Sequence, residues 1–270
     1  MWRNAKITVI VPAFNEADHI GLVLRSMPDY VDRVWVIDDA SRDGTAQRAS
    51  QLGDPRVRVI RHAKNLGVGM ALCTGYRAAL AEQTEVIAVM AGDGQMHPDD
   101  LAALLAPVVA GEADYAKGDR LSHPDVVRRM PLARWIGNHV LSFWTRLATG
   151  LALQDSQCGY TALHRRAAER LCWRELWPGY GYPNDLLGQL AELGARVRDV
   201  VVRPVYADET SGIRLHHALF VIPYVLARVL IRRTLVLMLP RRAAGLHETQ
   251  RNVHETSLAR DDSFLAEPQP

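Results

Sequence analysis

The sequence predicts an α/β protein with a mostly parallel sheet flanked by helices, and three observations support that class. Short β-branched runs alternate with segments of helical periodicity as far as Val109. These runs are apolar throughout, which is typical of strands buried on both faces of a sheet. The chain has 270 residues, 48% of them hydrophobic, so it can build one sizeable core.

The individual elements follow from the same pattern. In the first half, strands are predicted over 7–11, 34–37, 57–60 and 86–90, and helices over 16–26, 44–52, 68–81 and 98–109. Strict alternation of this kind indicates βαβ units, whose ligands bind beyond the carboxyl ends of the strands. The second half is less regular, with strands predicted over 115–118 and 197–202 and helices over 130–147 and 186–193.

Composition and missing motifs argue against several classes of function. The net charge of +2 gives no strong electrostatic basis for binding nucleic acid. The three cysteines form no CxxC pair, which argues against a disulfide framework and favours the reducing environment of the cytoplasm. The chain has no GxGxxG after its first strand and no GxxxxGK[ST] P-loop, so a nicotinamide dehydrogenase or a P-loop enzyme is disfavoured.

The C-terminal part changes character. Three regions are predicted: a main folded domain over 1–213, an apolar and basic helical segment over 214–242, and a disordered tail over 243–270. Arg228, Arg232 and Arg233 interrupt the apolar segment, which is too charged for an ordinary spanning helix. We expect this segment to lie in a membrane interface, with its arginines reaching lipid headgroups. The alternative is a buried C-terminal helix of the same fold.

Two adjacent carboxylates follow the second predicted strand. Asp38 and Asp39 come directly after a buried run, where unused charges are costly, so a function is expected for them. Such carboxylates accept hydrogen bonds from the N–H and O–H groups of a nucleotide base or ribose. Ser41 and Asp43 could instead cap the next helix, but capping does not account for Asp38 and Asp39 together.

Two further strand ends carry residues suited to ligand binding. Gly67 lies in a glycine-containing entry to a helix, which permits close approach of a ligand to the backbone. Asp93 and Gln95 follow the fourth strand two residues apart, so in an extended segment their side chains point to the same side. Both offer oxygen ligands, which suit Mg²⁺ or Mn²⁺. An ordinary glycine-rich turn would explain a lone Asp-Gly-Gln.

Together these segments resemble the family 2 glycosyltransferases of the GT-A fold. The matching pieces are residues 12–16, 38–45, 65–71 and 93–95, in the family's order and each at a strand end. The resemblance covers residues 6–210 and implies a Rossmann-like nucleotide-binding sheet, a nucleotide-sugar donor and a divalent cation, Mg²⁺ or Mn²⁺. It assigns donor binding to Pro12, Ala13, Asn15, Glu16, Asp38, Asp39, Gly67 and Asp93, and metal binding to Asp93 and Gln95. The first aspartate of the family's Asp-x-Asp motif falls on Ala91 here.

The second half of the chain is similar to the polyprenyl-phosphate sugar transferases of that family. The matching pieces are residues 117–120, 134–138 and 155–160. This similarity implies that Arg120 and Arg134 bind the phosphate of a lipid-linked acceptor, which agrees with the bidentate way arginine binds phosphate. Residues 155–159 are closer to the dolichyl-phosphate glucosyltransferase pattern than to the mannosyltransferase one, which favours UDP-glucose over GDP-mannose as donor.

The resemblance also implies an inverting transfer with Asp93, Asp155 and Asp185 as catalytic carboxylates. A lipid phosphate is already anionic and needs positioning rather than a base. A hydroxyl acceptor, on a saccharide or small molecule, would need a general base, for which Asp185 is the candidate. Asp155 is expected to hold the loop of the acceptor site. The enzyme is expected in the cytoplasm, peripheral on the cytoplasmic face of a membrane.

Two other classes remain open at this stage. A nucleotidyltransferase shares the parallel sheet and the acidic metal site, but it usually has a glycine-rich, basic signature where residues 15–18 stand here. A catalytically inactive homologue that serves as a binding protein is suggested by Ala91. The retained Asp93, Gln95 and Asp155 argue against it.

Overall fold

Seven strands form one sheet in the computed structural model, which describes residues 1–206 and 220–238. They are β1 (Ile7–Ala13), β2 (Arg33–Asp38), β3 (Val57–Arg61), β4 (Val86–Val89), β5 (Tyr115–Asp119), β6 (Thr161–His164) and β7 (Val197–Val201). Their order across the sheet is β3-β2-β1-β4-β6-β5-β7. All neighbouring pairs are parallel except that β6 runs antiparallel to β4 and β5. The predicted class, α/β with a mostly parallel sheet, is confirmed.

Helices lie along both faces of this sheet. Those within the described residues are α1 (Ile20–Arg25), α2 (Thr45–Ser50), α3 (Val68–Ala81), α4 (Leu101–Val109), α5 (Val126–Arg129), α6 (Leu132–Thr149), α7 (Arg165–Ala168), α8 (Tyr182–Glu192) and α9 (Ile222–Met238). The apolar runs of the sequence are explained by two cores, one on each face. Val9 and Val11 of β1 belong to one core with Leu104, whereas Ile10 belongs to the other with Leu72.

The register of the central strands brings the loops that follow them to one edge of the sheet. Ala13 pairs with Asp38 across β1 and β2, and Ile10 pairs with Val89 across β1 and β4. The loops after β1, β2 and β4 therefore begin side by side. This is the edge at which ligands bind in open α/β sheets.

The C-terminal helix α9 packs against α6 and α8. Its residues Ile222, Val225 and Val229 are buried. A Cβ added at Gly188 of α8 would lie 2.6 Å from Val229 Cγ2, so the glycine is what permits the close contact between α8 and α9. One face of α9 is thus part of the folded domain, as the alternative of a buried C-terminal helix predicts.

The expectation that the arginines of this segment reach lipid headgroups is wrong, because the domain itself supplies their partners. Arg228 Nη2 lies 2.8 Å from both carboxylate oxygens of Asp185, Arg232 pairs with Glu175 and Glu192, and Arg233 points to the carbonyl oxygens of Leu147 and Ala148. Partly buried carboxylates on α8 and before it need counter-charges, and α9 provides them.

Within residues 1–206 and 220–238, no helix has the length and apolar character needed to cross a bilayer. The predicted domain boundary between residues 213 and 214 and the predicted tail over 243–270 lie outside the described residues. All three cysteines are free, as the sequence predicts.

Candidate active site

The loops after β1 and β2 are locked to each other through hydrogen bonds. The backbone N–H of Asn15 donates to Ser41 Oγ at 2.9 Å, and the N–H of Arg42 donates to Asn15 Oδ1 at 2.9 Å. Asn15 and Ala40 both have positive φ angles, 57° and 63°. Non-glycine residues are uncommon in this region, and they persist where surrounding structure over-determines them, often at functional sites.

Ser41, Asp43 and Thr45 all accept hydrogen bonds from backbone N–H groups of the loop after β1. Thr45 Oγ1 accepts a hydrogen bond from the N–H of Glu16, and Asp43 Oδ2 accepts one from the N–H of Ala17. Asp43 Oδ1 also accepts from the N–H of Thr45 at the start of α2. The capping alternative therefore describes part of what Asp43 does, while its other oxygen fixes the loop after β1.

The carbonyl groups of Pro12 and Ala13 connect the end of β1 to the loops after β2 and β4. Ala13 O accepts from the N–H of Asp39, and Pro12 O accepts from the N–H of Gly92. The residues that the sequence assigns to donor binding on β1, β2 and the loop after β4 are thus brought together by backbone hydrogen bonds.

Asp39 is buried and uses its carboxylate to hold the loop before α3. Oδ1 accepts from His62 Nδ1 at 2.8 Å and from the N–H of Leu66 at 2.9 Å, and Oδ2 accepts from the N–H of Gly67 at 2.7 Å. Burial by itself raises the pKa of Asp39, but these hydrogen bonds outweigh it and hold the pKa below its usual range. The described partners of this carboxylate belong to the chain itself, and its assignment to donor binding stays a prediction.

Asp38 is fully buried beside it. Its Oδ1 accepts a 3.2 Å hydrogen bond from the N–H of Ser41, and its Oδ2 lies 3.1 Å from Arg61 Nε. Asp38 therefore fixes the turn after β2, with Arg61 as its counter-charge.

The glycines before and within α3 admit the chain itself rather than a ligand, which corrects the expectation for Gly67. A Cβ added at Gly67 would lie 2.5 Å from Pro178 O, and one added at Gly69 would lie 2.0 Å from Trp177 O. The N–H of Gly69 donates to Pro178 O at 2.7 Å. The start of α3 is thus covered by residues 177–178, and the carbonyl group of Pro178 accepts a hydrogen bond that a ligand could otherwise have accepted.

A small cleft lies beyond the end of β4. Asp93 and Gln95 line it together with Arg120 and Arg203, and the assignment of the first two as metal or diphosphate ligands stays a prediction. The N–H of Gln95 donates to Asp93 Oδ1 at 3.0 Å, which shapes the Asp-Gly-Gln turn. Within the described residues, no group of three or more His, Cys, Asp or Glu side chains could hold a metal ion. An ion bound here would take its remaining ligands from water and substrate phosphates, as Mg²⁺ usually does.

Arg120 and Asp155 form a buried bidentate ion pair at this cleft. Arg120 Nε lies 2.7 Å from Asp155 Oδ2, and Arg120 Nη2 lies 3.1 Å from Asp155 Oδ1. Asp155 Oδ1 also accepts from the N–H groups of Gln157 and Cys158. Burial raises the pKa of Asp155, but Arg120 and Lys117 beside it keep the pKa below its usual range. Asp155 thus holds both the loop 155–158 and the guanidinium that faces the cleft.

Arg134 approaches the same region from α6. Its guanidinium carbon lies 4.9 Å from the centre of the Tyr206 ring. Burial raises the pKa of Tyr206, and the positive charges of Arg120 and Arg134 act against that shift. Among the described residues, none forms a hydrogen bond with the buried Tyr206 hydroxyl. Tyr206, which lies against the predicted phosphate-binding Arg134, was missed by sequence reasoning.

Among the described residues, Asp185 forms no hydrogen bond with Arg120, Arg134 or Tyr206. It is buried on α8, where Oδ2 accepts from the N–H of Trp177 at 2.9 Å and both oxygens pair with Arg228. A carboxylate held in this way is poorly placed to accept a proton from a substrate hydroxyl. Its contacts connect α9 to the segment that covers the start of α3.

Sequence reasoning also missed a buried lysine that stands beside a half-buried aspartate in the sheet. Lys117 of β5 stands opposite Asp199 of β7 in the sheet, and its ammonium group donates to Cys158 O. Burial lowers the pKa of Lys117 and raises that of Asp199 to about 6. An isolated Lys and Asp in two separate strands give no sequence signal, since their meeting depends on the pairing of β5 with β7.

The sheet and the cleft at its carboxyl edge define an enzyme of the GT-A class, and comparison with known proteins gives the family. The model described as "Glycosyl transferase family 2" matches residues 8–172. The chain belongs to this family and is a glycosyltransferase, which confirms the resemblance and argues against a nucleotidyltransferase.

Individual relatives agree with this assignment. The UDP-N-acetylglucosamine–dolichyl-phosphate N-acetylglucosaminyltransferase of Methanococcus voltae is 31% identical over 217 residues, 75% of this chain and 86% of that protein. The polyprenol monophosphomannose synthase of Mycolicibacterium smegmatis is 30% identical over 222 residues, 78% of this chain and 83% of that protein.

A solved structure shows the same fold. Glucosyl-3-phosphoglycerate synthase from Mycobacterium tuberculosis, in complex with UDP, superposes with a TM-score of 0.64 at 24% identity, over 84% of this chain and 80% of that one. Other crystals of that enzyme contain UDP together with Mn²⁺ or Mg²⁺.

Proposed function

We propose that this glycosyltransferase moves a sugar from a nucleotide-sugar donor to a polyprenyl-phosphate lipid, with inversion at the anomeric carbon. The names of the two relatives support this acceptor class, since one acts on dolichyl phosphate and the other makes a polyprenol monophosphate sugar. A UDP-sugar is the favoured donor, with UDP-glucose first, because the M. voltae enzyme and the structural neighbour both bind uridine diphosphate compounds. GDP-mannose is the second choice, by analogy with the M. smegmatis enzyme.

The observation that carries the proposal is the composition of the cleft. Oxygen ligands for a metal–diphosphate unit, Asp93 and Gln95, line the same cleft as the guanidinium of Arg120. A sugar transfer to phosphate needs the two anionic groups on opposite sides of one anomeric carbon. The cleft offers ligands for a cation and for an anion. In the proposed arrangement the metal–diphosphate unit lies at Asp93 and Gln95, and the acceptor phosphate lies at Arg120.

Asp93 and Gln95 would hold the divalent cation, Mg²⁺ or Mn²⁺. The fit rests on donor chemistry: a carboxylate and an amide oxygen suit a hard cation that shares its shell with phosphate oxygens. The bound ion would neutralise the negative charge that develops on the leaving diphosphate. The crystals of the structural neighbour with Mn²⁺ or Mg²⁺ and UDP support the same use here.

Arg120, Arg134 and Tyr206 form the proposed site for the acceptor phosphate. Asp155 fixes Arg120 through Nε and Nη2, so the guanidinium is oriented before substrate arrives. Arg134 and the Tyr206 hydroxyl add a second positive charge and an O–H donor. Because the acceptor is already an anion, these groups orient it without removing a proton.

A hydroxyl acceptor is the second candidate, and the structure gives it less support. It requires a general base, and Asp185 is occupied by Arg228 and by the N–H of Trp177. The transfer to a lipid phosphate has no such requirement. We place the enzyme on the cytoplasmic face of a membrane, where a lipid-linked acceptor is available.

The test is transfer of radiolabelled sugar from a panel of UDP- and GDP-sugars to a short polyprenyl phosphate, with Mg²⁺, Mn²⁺ or EDTA. We expect one donor to give a product that extracts into organic solvent, and EDTA to abolish it. Product on free sugars or small hydroxyl compounds, with none on polyprenyl phosphate, would move the function to the second candidate.

Two variants connect this test to the proposed donor and acceptor sites, and a third is a control. Asp93→Asn should lower turnover by on the order of 100-fold, because a lost metal ligand weakens stabilisation of the leaving group. Asp29→Asn is the matched control, since Asp29 is exposed in the turn before β2.

Tyr206→Phe should raise KM for the lipid phosphate by about tenfold and leave KM for the donor unchanged. An effect of Tyr206→Phe on the donor instead would remove this residue from the acceptor site.

A further inference from the structure

The helix α6 has an inverted distribution of polar and apolar side chains. Its buried positions include Asn138, Ser142, Thr145 and Thr149. Ser142 Oγ accepts from the N–H of Ser156 at 2.9 Å, and Thr145 Oγ1 donates to Asn184 Oδ1 at 2.7 Å. The side of α6 that faces the protein is therefore a hydrogen-bonded polar surface.

The outer side of α6 is apolar. Six of its large side chains are exposed: Leu132, Ile136, Val140, Phe143, Trp144 and Leu147. Their spacing of three and four residues places them along one stripe of the helix. A helix of a water-exposed surface normally has the opposite arrangement, so this stripe needs a partner.

The neighbouring helix α9 extends this surface. Ala148 of α6 packs with Ile222, Leu226 and Val229 of α9, so the two helices lie side by side. The opposite side of α9 exposes Tyr224, Leu230, Ile231, Leu235 and Met238, and Phe220, two residues before the helix, is exposed as well. We call these exposed side chains of the two helices the α6/α9 face.

The two helices of the α6/α9 face carry arginines and no aspartate or glutamate. The carboxylates that pair with the arginines of α9 belong to α8 and the segment before it. The sequence has no aspartate or glutamate from residue 126 to 154, a stretch that contains four arginines, and none from residue 210 to 247. Arg128 and Arg129 are exposed directly before α6. An apolar surface with aromatic side chains and a basic border suits the boundary between headgroups and acyl chains of an anionic bilayer.

We propose that the α6/α9 face docks onto the surface of a bilayer that contains anionic lipids. A second copy of the chain is a poorer occupant, because a symmetric pairing would place the basic border of one copy against that of the other. The inference rests on the proposed lipid-phosphate acceptor for its purpose, but not for its observations. Arg134 lies on α6 itself, so docking would bring the proposed acceptor site to the membrane surface.

The test compares the full chain with the triple variant Ile136→Ser, Phe143→Ser, Leu147→Ser in a vesicle sedimentation assay. The matched control is Leu22→Ser, an equally exposed leucine on α1 with 63% of its side chain accessible. Vesicles are made of phosphatidylcholine with or without phosphatidylglycerol. We expect the wild type and the control to bind anionic vesicles more tightly than neutral ones, and the triple variant to bind on the order of 100-fold more weakly.

Two further measurements decide what a negative result means. Unfolding curves show whether the triple variant is folded, and transfer to a short, water-soluble prenyl phosphate without vesicles shows whether its active site is intact. We expect both to match the wild type. Equal vesicle binding by the wild type and the folded triple variant would overturn the docking proposal, and so would a wild-type dimer by light scattering that the triple variant dissociates.

This design separates the docking proposal from the proposed function. If sugar is transferred to prenyl phosphate but vesicle binding does not depend on the α6/α9 face, the docking proposal fails and the function stands. If vesicle binding depends on this face but no donor gives a lipid-linked product, the acceptor assignment fails. Binding to neither type of vesicle by the wild type overturns the docking proposal and points to a protein partner for the face.

Discussion

Asp39 and Asp185 are buried carboxylates whose oxygen atoms accept hydrogen bonds from the chain. Asp39 holds the loop before α3, and Asp185 holds Trp177 and Arg228. In both cases the charge is stabilised by several donors, which is the condition for burying a carboxylate. At the scale of single residues, the site is built from carboxylates that fix loops and from a smaller number that face the cleft.

Asp185→Asn tests the role of that carboxylate. We expect unfolding to become easier by about 2 kcal/mol, because Arg228 loses its counter-charge in a partly buried position. Turnover per folded enzyme should stay near that of the wild type. Urea unfolding and steady-state kinetics on the same preparation measure the two quantities.

Arg228→Leu supplies the matched comparison. Removing either partner should cost similar stability, and the double variant should lose less than the sum of the two. Normal stability of Asp185→Asn with loss of turnover would instead restore Asp185 as a base.

The positions of several polar residues at one edge of the sheet could be predicted from the sequence, whereas their partners could not. Asp38, Asp39 and Asp93 stand out because polar residues directly after buried strands meet at one edge of the sheet. The hydrogen bond from Gly67 to Asp39 and the ion pair between Arg228 and Asp185 both join segments that are distant in the sequence. No local pattern encodes such contacts, and the same holds for the place of Tyr206 beside Arg134.

Among the elements, α3 depends on its close contact with the segment before α8. Gly69→Ala should destabilise the protein by about 2 kcal/mol, since the new Cβ would lie 2.0 Å from the backbone oxygen of Trp177. Asp39, a residue assigned to donor binding, holds Leu66 and Gly67 directly before α3. We therefore also expect a displaced α3 to raise KM for the donor. Thermal unfolding and donor titration check the two effects.

Gly137→Ala is the control for that substitution. A Cβ at Gly137 in α6 meets nothing within 4 Å, so alanine should stabilise the helix by about 0.5–1 kcal/mol. Two Gly→Ala changes in helices should therefore act with opposite sign. Equal effects would show that the Trp177 contact does not restrict position 69.

The pairing of β5 with β7 gives a prediction about pH. Burial, together with Asp119 and Asp155, raises the pKa of Asp199 from 3.8 to about 6, and Lys117 acts against this. The folded protein therefore holds a proton on Asp199 that the unfolded chain releases, and the contribution of this group to stability falls as the pH rises from about 4 to about 6. Asp199→Asn should thus be about 1–2 kcal/mol more stable than the wild type at pH 7 and show no advantage near pH 4.

Unfolding in urea at several pH values measures this difference. The N–H of Gln154 donates to Asp199, and an asparagine carbonyl can accept that hydrogen bond in the same way. A constant difference between the two proteins across the range would contradict a titrating Asp199.

The regular elements were predicted closely where local pattern dominates. The helix over 68–81 agrees with α3, and the strands of the first half agree with β1–β4 within two residues at each end. The strand β6 was missed, because Thr161–His164 is short and is selected by antiparallel pairing with β4 and β5. The start of α8 was placed too late, at residue 186 instead of Tyr182, and the helix includes Pro183 in its first turn, where proline is tolerated.

At the scale of the whole molecule, α9 belongs to the folded domain. Deleting residues 214–270 should destabilise the protein by on the order of 5 kcal/mol, because it uncovers apolar surface on α6 and α8 and leaves Asp185 without Arg228. Deleting 243–270 leaves Ile222–Met238 in place and should have a much smaller effect. Thermal unfolding of the two truncated chains distinguishes these outcomes, and equal stability would show that α9 adds little to the domain.

The position of Arg134 on α6 has a kinetic consequence. This residue stands on the helix that carries the α6/α9 face, so a docked enzyme would meet its acceptor by diffusion in two dimensions. The rate would then depend on the number of acceptor molecules per area of bilayer and not on their concentration in the bulk volume. Adding vesicles of inert lipid at constant total acceptor would slow the reaction by surface dilution, even though every solution concentration of substrate stayed the same.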